Sequence, residues 1–440
     1  MKMNSYYLIG EHLTHSFSAE IHRSFGRYAY ELRELHPEVL GAFLEARAFA
    51  GLNVTIPYKQ AVIPYLDRLD EHAAAIGAVN TVVNRNGVLW GYNTDFGGMA
   101  ESICRFCCNP SAQDGDGTPR SVLFAKKVLI LGTGGSSKTA LAVCKALGAG
   151  ETLCVSRTGR DGAILYSEAD TQHSDAAWII NCTPAGMYPN LEESPLSFAE
   201  PRICHFERSE ESVPFPHLEG VFDCVYNPLR TRLVLAAQSR GLPAGGGLFM
   251  LVKQAALTCE LFTGTAVAET EVEQICAQLR RTRENLVLIG MPGAGKTTVG
   301  RLLAEKTGKP FLDLDEEIAR RAGKSIPEIF AQDGEAAFRD LESALIRECA
   351  CMGGKVIATG GGSILRAENV LRLKQNGRLI FLDRPLSALI PTADRPLADS
   401  AEKLRKLYEA RYPIYAAAAD LILPADSRPE ELAATLAALP

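Results

Sequence analysis

The chain has 440 residues, 47% hydrophobic and 22% charged, with a net charge of −6; it is long enough for two or three domains and has a globular composition. The acidic balance gives no electrostatic argument for nucleic acid or an anionic membrane as partner, and anionic small substrates depend on local basic residues instead. Residues 1–13 lack a secretory pattern and no apolar run approaches a membrane span, so a cytoplasmic location is expected.

In chain order, residues 1–103 alternate short apolar runs such as Leu8-Ile9 with stretches that read as helical, such as Ala61–Leu69. Cys104, Cys107 and Cys108 cluster without a second pair or a partnered His, a pattern of free thiols rather than of a zinc site. Residues 108–120 are polar and rich in Gly and Pro and read as a loop. A strand-like run from Lys127 then leads through Gly132-Thr133-Gly134-Gly135-Ser136-Ser137 into a helical pattern ending near Leu147. Residues 203–216 show no periodicity and read as an exposed insertion. Val272, Ile275, Cys276 and Leu279 recur at helical spacing, in a helix expected to end near Arg281. A second strand–glycine–helix unit starts at Leu286.

The second glycine segment, Gly290-Met-Pro-Gly293-Ala294-Gly295-Lys296-Thr297, fits the complete phosphate-binding pattern G-x-x-x-x-G-K-[ST]. Its glycines let backbone N–H groups surround phosphates, Lys296 reaches the outer phosphates, and the Thr297 hydroxyl suits Mg²⁺. The first segment has Ser137 where that pattern needs Gly, and it better suits a dinucleotide turn. At the end of the next strand, Thr152–Val155, the chain reads Ser156-Arg157-Thr158. NAD enzymes place a carboxylate there, and an Arg instead suits the 2′-phosphate of NADP.

Several separated motifs then bring a family into view: His15-Ser16-Phe17-Ser18, Asn53-Val54-Thr55-Ile56-Pro57-Tyr58-Lys59, Gly77-Ala78-Val79-Asn80-Thr81 and Gly91-Tyr92-Asn93-Thr94-Asp95. Further along come Asn181-Cys182-Thr183-Pro184, Asp223-Cys224-Val225-Tyr226-Asn227-Pro228 and Gly247-Leu248-Phe249 through Gln254. In this order they resemble shikimate dehydrogenase. The resemblance implies reversible NADPH-dependent reduction of 3-dehydroshikimate to shikimate. It implies a substrate domain at 1–103, completed by 240–280, and an NADP-binding Rossmann domain at 121–239. Ser16 and Ser18 would bind the substrate carboxylate, Thr55, Asn80, Tyr226 and Gln254 would contact it elsewhere, and Lys59 with Asp95 would form the catalytic pair. Gly132, Thr133, Gly134, Gly135, Ser136, Ser156, Arg157, Thr158, Cys224 and Gly247 would face the cofactor. One departure is Ala19, where the family usually has Pro.

Residues 285–440 resemble shikimate kinase. The matching segments beyond the phosphate loop are Phe311-Leu312-Asp313-Leu314-Asp315, Gly334-Glu335 with Phe338-Arg339, Thr359-Gly360-Gly361-Gly362, Asp394-Arg395-Pro396-Leu397 and Arg411-Tyr412-Pro413. The resemblance implies ATP-dependent phosphorylation of shikimate to shikimate 3-phosphate. Gly293, Ala294, Gly295, Lys296, Thr297 and Thr298 would hold ATP, and Thr297 and Asp313 the Mg²⁺. Asp315 would hold the substrate hydroxyls, Arg339 and Arg411 its carboxylate, and Gly361 would back the ring. Arg395 would belong to a lid over ATP.

The expected architecture is therefore α/β throughout: an N-terminal α/β substrate domain with a Rossmann NADP domain, then a P-loop kinase domain on a parallel sheet. Two other readings stand beside it. The first half would be a quinate-type NAD dehydrogenase if a carboxylate stood at 156 or 157, and neither position has one. One half would be a non-catalytic binding module if its catalytic positions were lost, and none identified here is lost.

Overall fold

The computed structural model describes residues 5–13, 16–107, 121–196, 214–389 and 400–439. Strands β1 (Tyr6–Gly10), β2 (Tyr30–Glu34), β3 (Gly51–Val54), β4 (Arg68–Leu69), β5 (Thr81–Arg85) and β6 (Val88–Tyr92) form a mixed sheet in the order β2-β1-β3-β5-β6-β4. β5 and β6 are a hairpin turned by Asn86 and Gly87, at φ 56° and 89°, the conformation that an Asn-Gly pair favours. Helices α1 (Ser18–Phe25), α2 (Pro37–Glu45), α3 (Glu71–Ile76) and α4 (Thr94–Cys107) accompany this sheet. The stretch Ala61–Leu69 is not a helix. It is a run of turns with a single 3₁₀ turn at Ile63–Tyr65 and then β4, because Pro64 brings no N–H to an i→i−4 ladder.

The second sheet is parallel: β7 (Lys127–Leu131), β8 (Glu151–Ser156), β9 (Ile164–Leu165), β10 (Trp178–Asn181), β11 (Gly220–Asp223) and β12 (Ala244–Gly245) lie in the order β12-β11-β10-β7-β8-β9. Counted from β7, that is the doubly wound dinucleotide-binding order. Val128–Leu131 are fully buried, as expected where α5 (Gly135–Ala146), α6 (Tyr166–Gln172) and α7 (Arg232–Ser239) cover a parallel sheet. α8 (Leu248–Thr263) then packs along α4; a Cβ added to Gly98 would lie 2.8 Å from the Met250 carbonyl oxygen, so the two backbones touch.

Residues 203–213 of the expected insertion lie outside the described residues, as do residues 108–120. At the far end of that insertion Pro214 and Pro216 are exposed as expected, but Phe215 is fully buried in the core of the second sheet, and Arg240 donates to the carbonyls of Pro214 and Phe215. Residues 214–217 are bends and turns, as a loop requires, and only the apolar ring of Phe215 departs from the expected exposure.

α9 (Glu269–Arg283) buries Val272, Ile275 and Leu279. It runs two residues past the expected end at Arg281, and Glu284 alone separates it from the third sheet. There β13 (Asn285–Ile289), β14 (Phe311–Asp313), β15 (Val356–Ala358), β16 (Gly377–Asp383) and β17 (Leu421–Pro424) are all parallel, in the order β14-β15-β13-β16-β17. Its helices are α10 (Lys296–Thr307), α11 (Leu314–Ala322), α12 (Ile326–Gln332), α13 (Gly334–Ala350), α14 (Ala367–Asn376), α15 (Ala401–Ala418) and α16 (Pro429–Ala437). Among the described residues no helix is long and apolar enough to cross a membrane.

Candidate active sites

The first site forms where the first two sheets face each other. β3 ends at Val54, and the following turn carries Thr55 and Lys59; β6 ends at Tyr92, and the first turn of α4 carries Asp95. The two turns converge, and Lys59 Nζ donates to Asp95 Oδ2 at 2.5 Å, with the side chains only 20% and 12% exposed. Asn80, just before β5, donates through Nδ2 to Thr94 Oγ1 (2.9 Å) and Gln254 Oε1 (3.4 Å), and its Oδ1 accepts the Thr94 N–H (2.8 Å). Behind it Thr258 Oγ1 meets Thr81 Oγ1 at 2.9 Å and accepts from Asn53 Nδ2 at 3.2 Å. This buried hydroxyl–amide network fixes the amide that the site presents. Ser16 Oγ donates to Ser18 Oγ at 3.1 Å, and between them Phe17 packs on Tyr226 with ring centroids 5.1 Å apart.

The glycine turn after β7 lies against this cluster. A Cβ added to Gly135 would stand 3.9 Å from Lys59 Cδ, so the turn and the lysine are neighbours. Gly132 has φ 108°, and a side chain there would come within 3.1 Å of Thr183. Gly134 is the N-cap of α5 and supplies no side-chain cap, which leaves that helix N-terminus to bind an anion. Ser137, in the first turn, is 1% exposed and its Oγ has no hydrogen-bond partner. An orphaned hydroxyl beside uncapped N–H groups fits a dinucleotide pyrophosphate. Thr133 is exposed and Ser136 half-buried on the same turn, while Ser156, Arg157 and Thr158 follow in the segment that ends β8. Arg157 and Thr158 are exposed, as a ribose-phosphate contact requires. Cys224 Sγ lies 3.8 Å from Cys182 Sγ, and that contact, followed by burial, pushes the Cys224 thiol up. A Cβ on Gly247 would fall 2.2 Å from the Cys224 carbonyl oxygen, so only glycine fits.

The second site lies at the carboxyl ends of the third sheet. Gly290, Gly293 and Gly295 have φ of 147°, 84° and 89°, curling the loop into a cradle before α10. Ala294 is buried, Thr298 is exposed, and Lys296 is buried with its Nζ donating to the carbonyls of Gly290 (2.9 Å) and Met291 (3.0 Å). Thr297 Oγ1 donates to Asp313 Oδ2 at 2.6 Å. Hydroxyl and carboxylate oxygens are the hard donors that Mg²⁺ takes, so this pair fits the metal. Asp313 also caps α11, its Oδ1 accepting the Asp315 N–H at 3.1 Å.

Asp315 is the unusual carboxylate. Burial pushes it up to about 6, Lys296 opposes, and Glu342 and Asp313 add to the rise; its Oδ1 is buried with no hydrogen-bond partner. Arg339 reaches Glu342 Oε2 (3.1 Å) and Glu335 Oε1 (3.0 Å), and Gly362 leaves room for its guanidinium. Arg411 donates to the Gly361 carbonyl at 2.9 Å, and Tyr415 Oη bonds the same oxygen. Burial and the like charge of Arg339 lower the Arg411 guanidinium, with Tyr415 opposing. Two buried guanidiniums and an orphaned carboxylate oxygen form a receptor for a small acid bearing hydroxyls. Arg395 lies outside the described residues. Glu342, fully buried and bonded to Ser363 and Arg339, is the residue that the motif reading missed. Its signal was the i+3 spacing from Arg339.

Comparison with known proteins covers both halves. A family model described as the shikimate dehydrogenase substrate binding domain matches residues 8–82, and one described as shikimate kinase matches residues 292–439. The shikimate dehydrogenase (NADP(+)) of Geobacillus kaustophilus (strain HTA426) is 33% identical over 297 residues, 63% of this chain and 98% of that protein. The shikimate kinase of Pseudomonas syringae pv. syringae (strain B728a) is 42% identical over 168 residues, 36% of this chain and 98% of that protein. Among solved structures, a chorismate mutase/shikimate 5-dehydrogenase fusion protein from Clostridium acetobutylicum is similar at a TM-score of 0.54 and 30% identity, over 63% of this chain and 98% of that one.

Proposed function

The chain belongs to two families, shikimate dehydrogenase over the region ahead of β13 and shikimate kinase over the region from β13 onward, and on that premise we propose that it catalyses consecutive reactions on one small acid. The first is NADPH-dependent reduction of 3-dehydroshikimate to shikimate, and the second is phosphorylation of shikimate by ATP with Mg²⁺. The observation that carries the reading is that the two families, assigned from different residues, share one metabolite as product and substrate. The three sheets support a division into a substrate domain (1–103, completed by 240–280), a cofactor domain (121–239) and a kinase domain (285–440). Soluble small molecules as partners and a cytoplasmic location belong to the same proposal.

NADPH, when bound, supplies the hydride. Lys59, held beside Asp95, donates a proton to the oxygen on which negative charge develops during reduction, and Asp95 keeps the ammonium aimed. Ser16 and Ser18 receive the substrate carboxylate, with Thr55, Asn80, Tyr226 and Gln254 fixing the ring. In the second site Arg339 and Arg411 hold that carboxylate against Gly361. Asp315 accepts the proton of the attacking hydroxyl through its free oxygen. Lys296 and the N-terminus of α10 neutralise the phosphates, Thr297 and Asp313 would hold Mg²⁺, and Arg395 is assigned to the closing segment.

Single substitutions test the assignment. Lys59→Ala or Asp95→Asn is expected to reduce dehydrogenase kcat by at least about a hundredfold and leave the kinase near normal. Lys296→Ala should do the reverse. Loss of both activities from Lys59→Ala in a folded protein would overturn the two-site assignment.

A further inference from the structure

The segment between β11 and α7 carries Tyr226, and its hydrogen bonds divide unequally between the two halves of the chain. Its ends are tied within the cofactor domain: Asp223 accepts the Val225 N–H at 2.9 Å and the Thr231 hydroxyl at 2.6 Å. In its middle the Asn227 carbonyl accepts the Tyr188 N–H at 3.0 Å, and the next two N–H donors, on Leu229 and Arg230, are tied to the kinase half. The Leu229 N–H donates to Asn376 Oδ1 (3.0 Å), the Arg230 N–H to the Gln375 carbonyl (2.9 Å) and Arg230 Nε to the Lys374 carbonyl (3.0 Å). The Arg230 guanidinium also bonds the Gly377 carbonyl and both carboxylate oxygens of Asp420, the latter at 3.3 Å. Asn376 is 4% exposed and anchored in turn to the Ala350 carbonyl at 3.1 Å. Tyr226, Asn227 and Leu229 therefore share a cavity of about 280 Å³ with Met352, Gly353 and Asn376 of the kinase half.

We propose that the last turn of α14, with Asp420, is a positioning element of the dehydrogenase site. It holds the Tyr226 segment so that the ring stays against Phe17, between Ser16 and Ser18, without touching substrate itself. The inference rests on the reading of Tyr226, Ser16 and Ser18 as substrate contacts. Residues 224–230 have no helix or strand of their own, so with Leu229 and Arg230 released and only the bonds at Val225, Asn227 and Thr231 left, the segment would spend part of its time in other conformations. Apparent substrate affinity falls in proportion to the competent fraction.

The test uses the full-length protein and Arg230→Ala. A fall of the competent fraction to about a tenth raises the KM for 3-dehydroshikimate roughly tenfold, while dehydrogenase kcat, the KM for NADPH and both kinase KM values stay within about twofold. Kinase activity of the same preparation reports an intact fold. Arg230→Lys keeps a cation for Asp420 and should recover part of the loss. Glu368→Gln removes the ion pair with Arg232 at the same interface but no bond to residues 226–230, and should leave that KM unchanged. Should Arg230→Ala not fold, Asp420→Asn is expected to give a smaller rise in the same KM. Tyr226→Phe, measured in parallel, separates the two levels of the argument. If Tyr226→Phe raises the KM and the Arg230 and Asp420 variants do not, the positioning role is wrong. An equal rise from Glu368→Gln would reduce it to general loosening of the interface and overturn it as well. If Tyr226→Phe has no effect, the reading of the site fails and takes the inference with it.

Discussion

In the proposed role of proton acceptor, the Asp315 carboxyl, pushed up to about 6 chiefly by burial, would give the kinase a pH dependence with a defined sign. The group must be ionised to accept a proton, so kcat/KM for shikimate should fall roughly tenfold per pH unit below about 6. Asp315→Asn should remove most of the rate and that acid limb with it; a limb unchanged in the variant would assign it elsewhere. Stability moves the same group the other way. Native Asp315 keeps its proton after the unfolded chain has lost it, so its contribution declines as pH rises from the ordinary carboxylate range to about 6. At the cofactor turn, Arg157 follows β8 exposed and without an acidic neighbour in Ser156 or Thr158. Arg157→Asp should shift the ratio of kcat/KM values from NADPH toward NADH; an unchanged ratio would show that Arg157 does not read the 2′-phosphate. Residues like these stand in motifs and are visible in the sequence. Thr258 is not, because its importance comes from Asn53 and Thr81, which the fold brings beside it, and Glu342 shows in the sequence only its i+3 spacing from Arg339, its Ser363 partner being supplied by the fold.

Elements were legible where one local pattern decides them. Each glycine turn follows a buried strand and opens a helix because positive-φ glycines and uncapped N–H groups have no other local solution. Ala61–Leu69 misled because its apolar spacing is helical while Pro64 and the pairing of β4 with β6 hold it otherwise. The end of α9 extends to Arg283, where Arg283 pairs with Glu20 at 2.6 Å and lies over the Phe17 ring; no local stop signal could have revealed that contact. The segment 203–216 divides at its apolar end. Deleting residues 203–213, which include the charged Glu207, Arg208, Glu210 and Glu211, should leave both activities intact. Phe215→Ala should cost about 3–5 kcal/mol and lower the Tm of the cofactor domain. Loss of NADPH binding on the short deletion would instead place that segment within the cofactor fold.

At the scale of the whole molecule, the third sheet has two ends with different uses. Its carboxyl ends carry the phosphate loop, Asp313–Asp315 and Gly360–Gly362. Its amino ends, at Asn285, Lys355, Gly377 and Leu421, lie next to the residues that meet the dehydrogenase half: Gly353, Gln375, Asn376 and Asp420. The proposed kinase site therefore stands at the opposite end of this sheet from those contacts, and on the proposed function shikimate is expected to pass from the first site to the second through solvent. In the coupled reaction with labelled 3-dehydroshikimate, added unlabelled shikimate should dilute the label in shikimate 3-phosphate in proportion to the pool; label that resists dilution would mean direct transfer. The claim beneath all of this is that one chain carries both activities, and product identification tests it most directly. Purified protein given 3-dehydroshikimate, NADPH, ATP and Mg²⁺ should yield shikimate 3-phosphate, with equal amounts of NADPH oxidised and ATP consumed. Accumulation of shikimate without its phosphate, or ATP use on supplied shikimate with no NADPH oxidation from 3-dehydroshikimate, would contradict it.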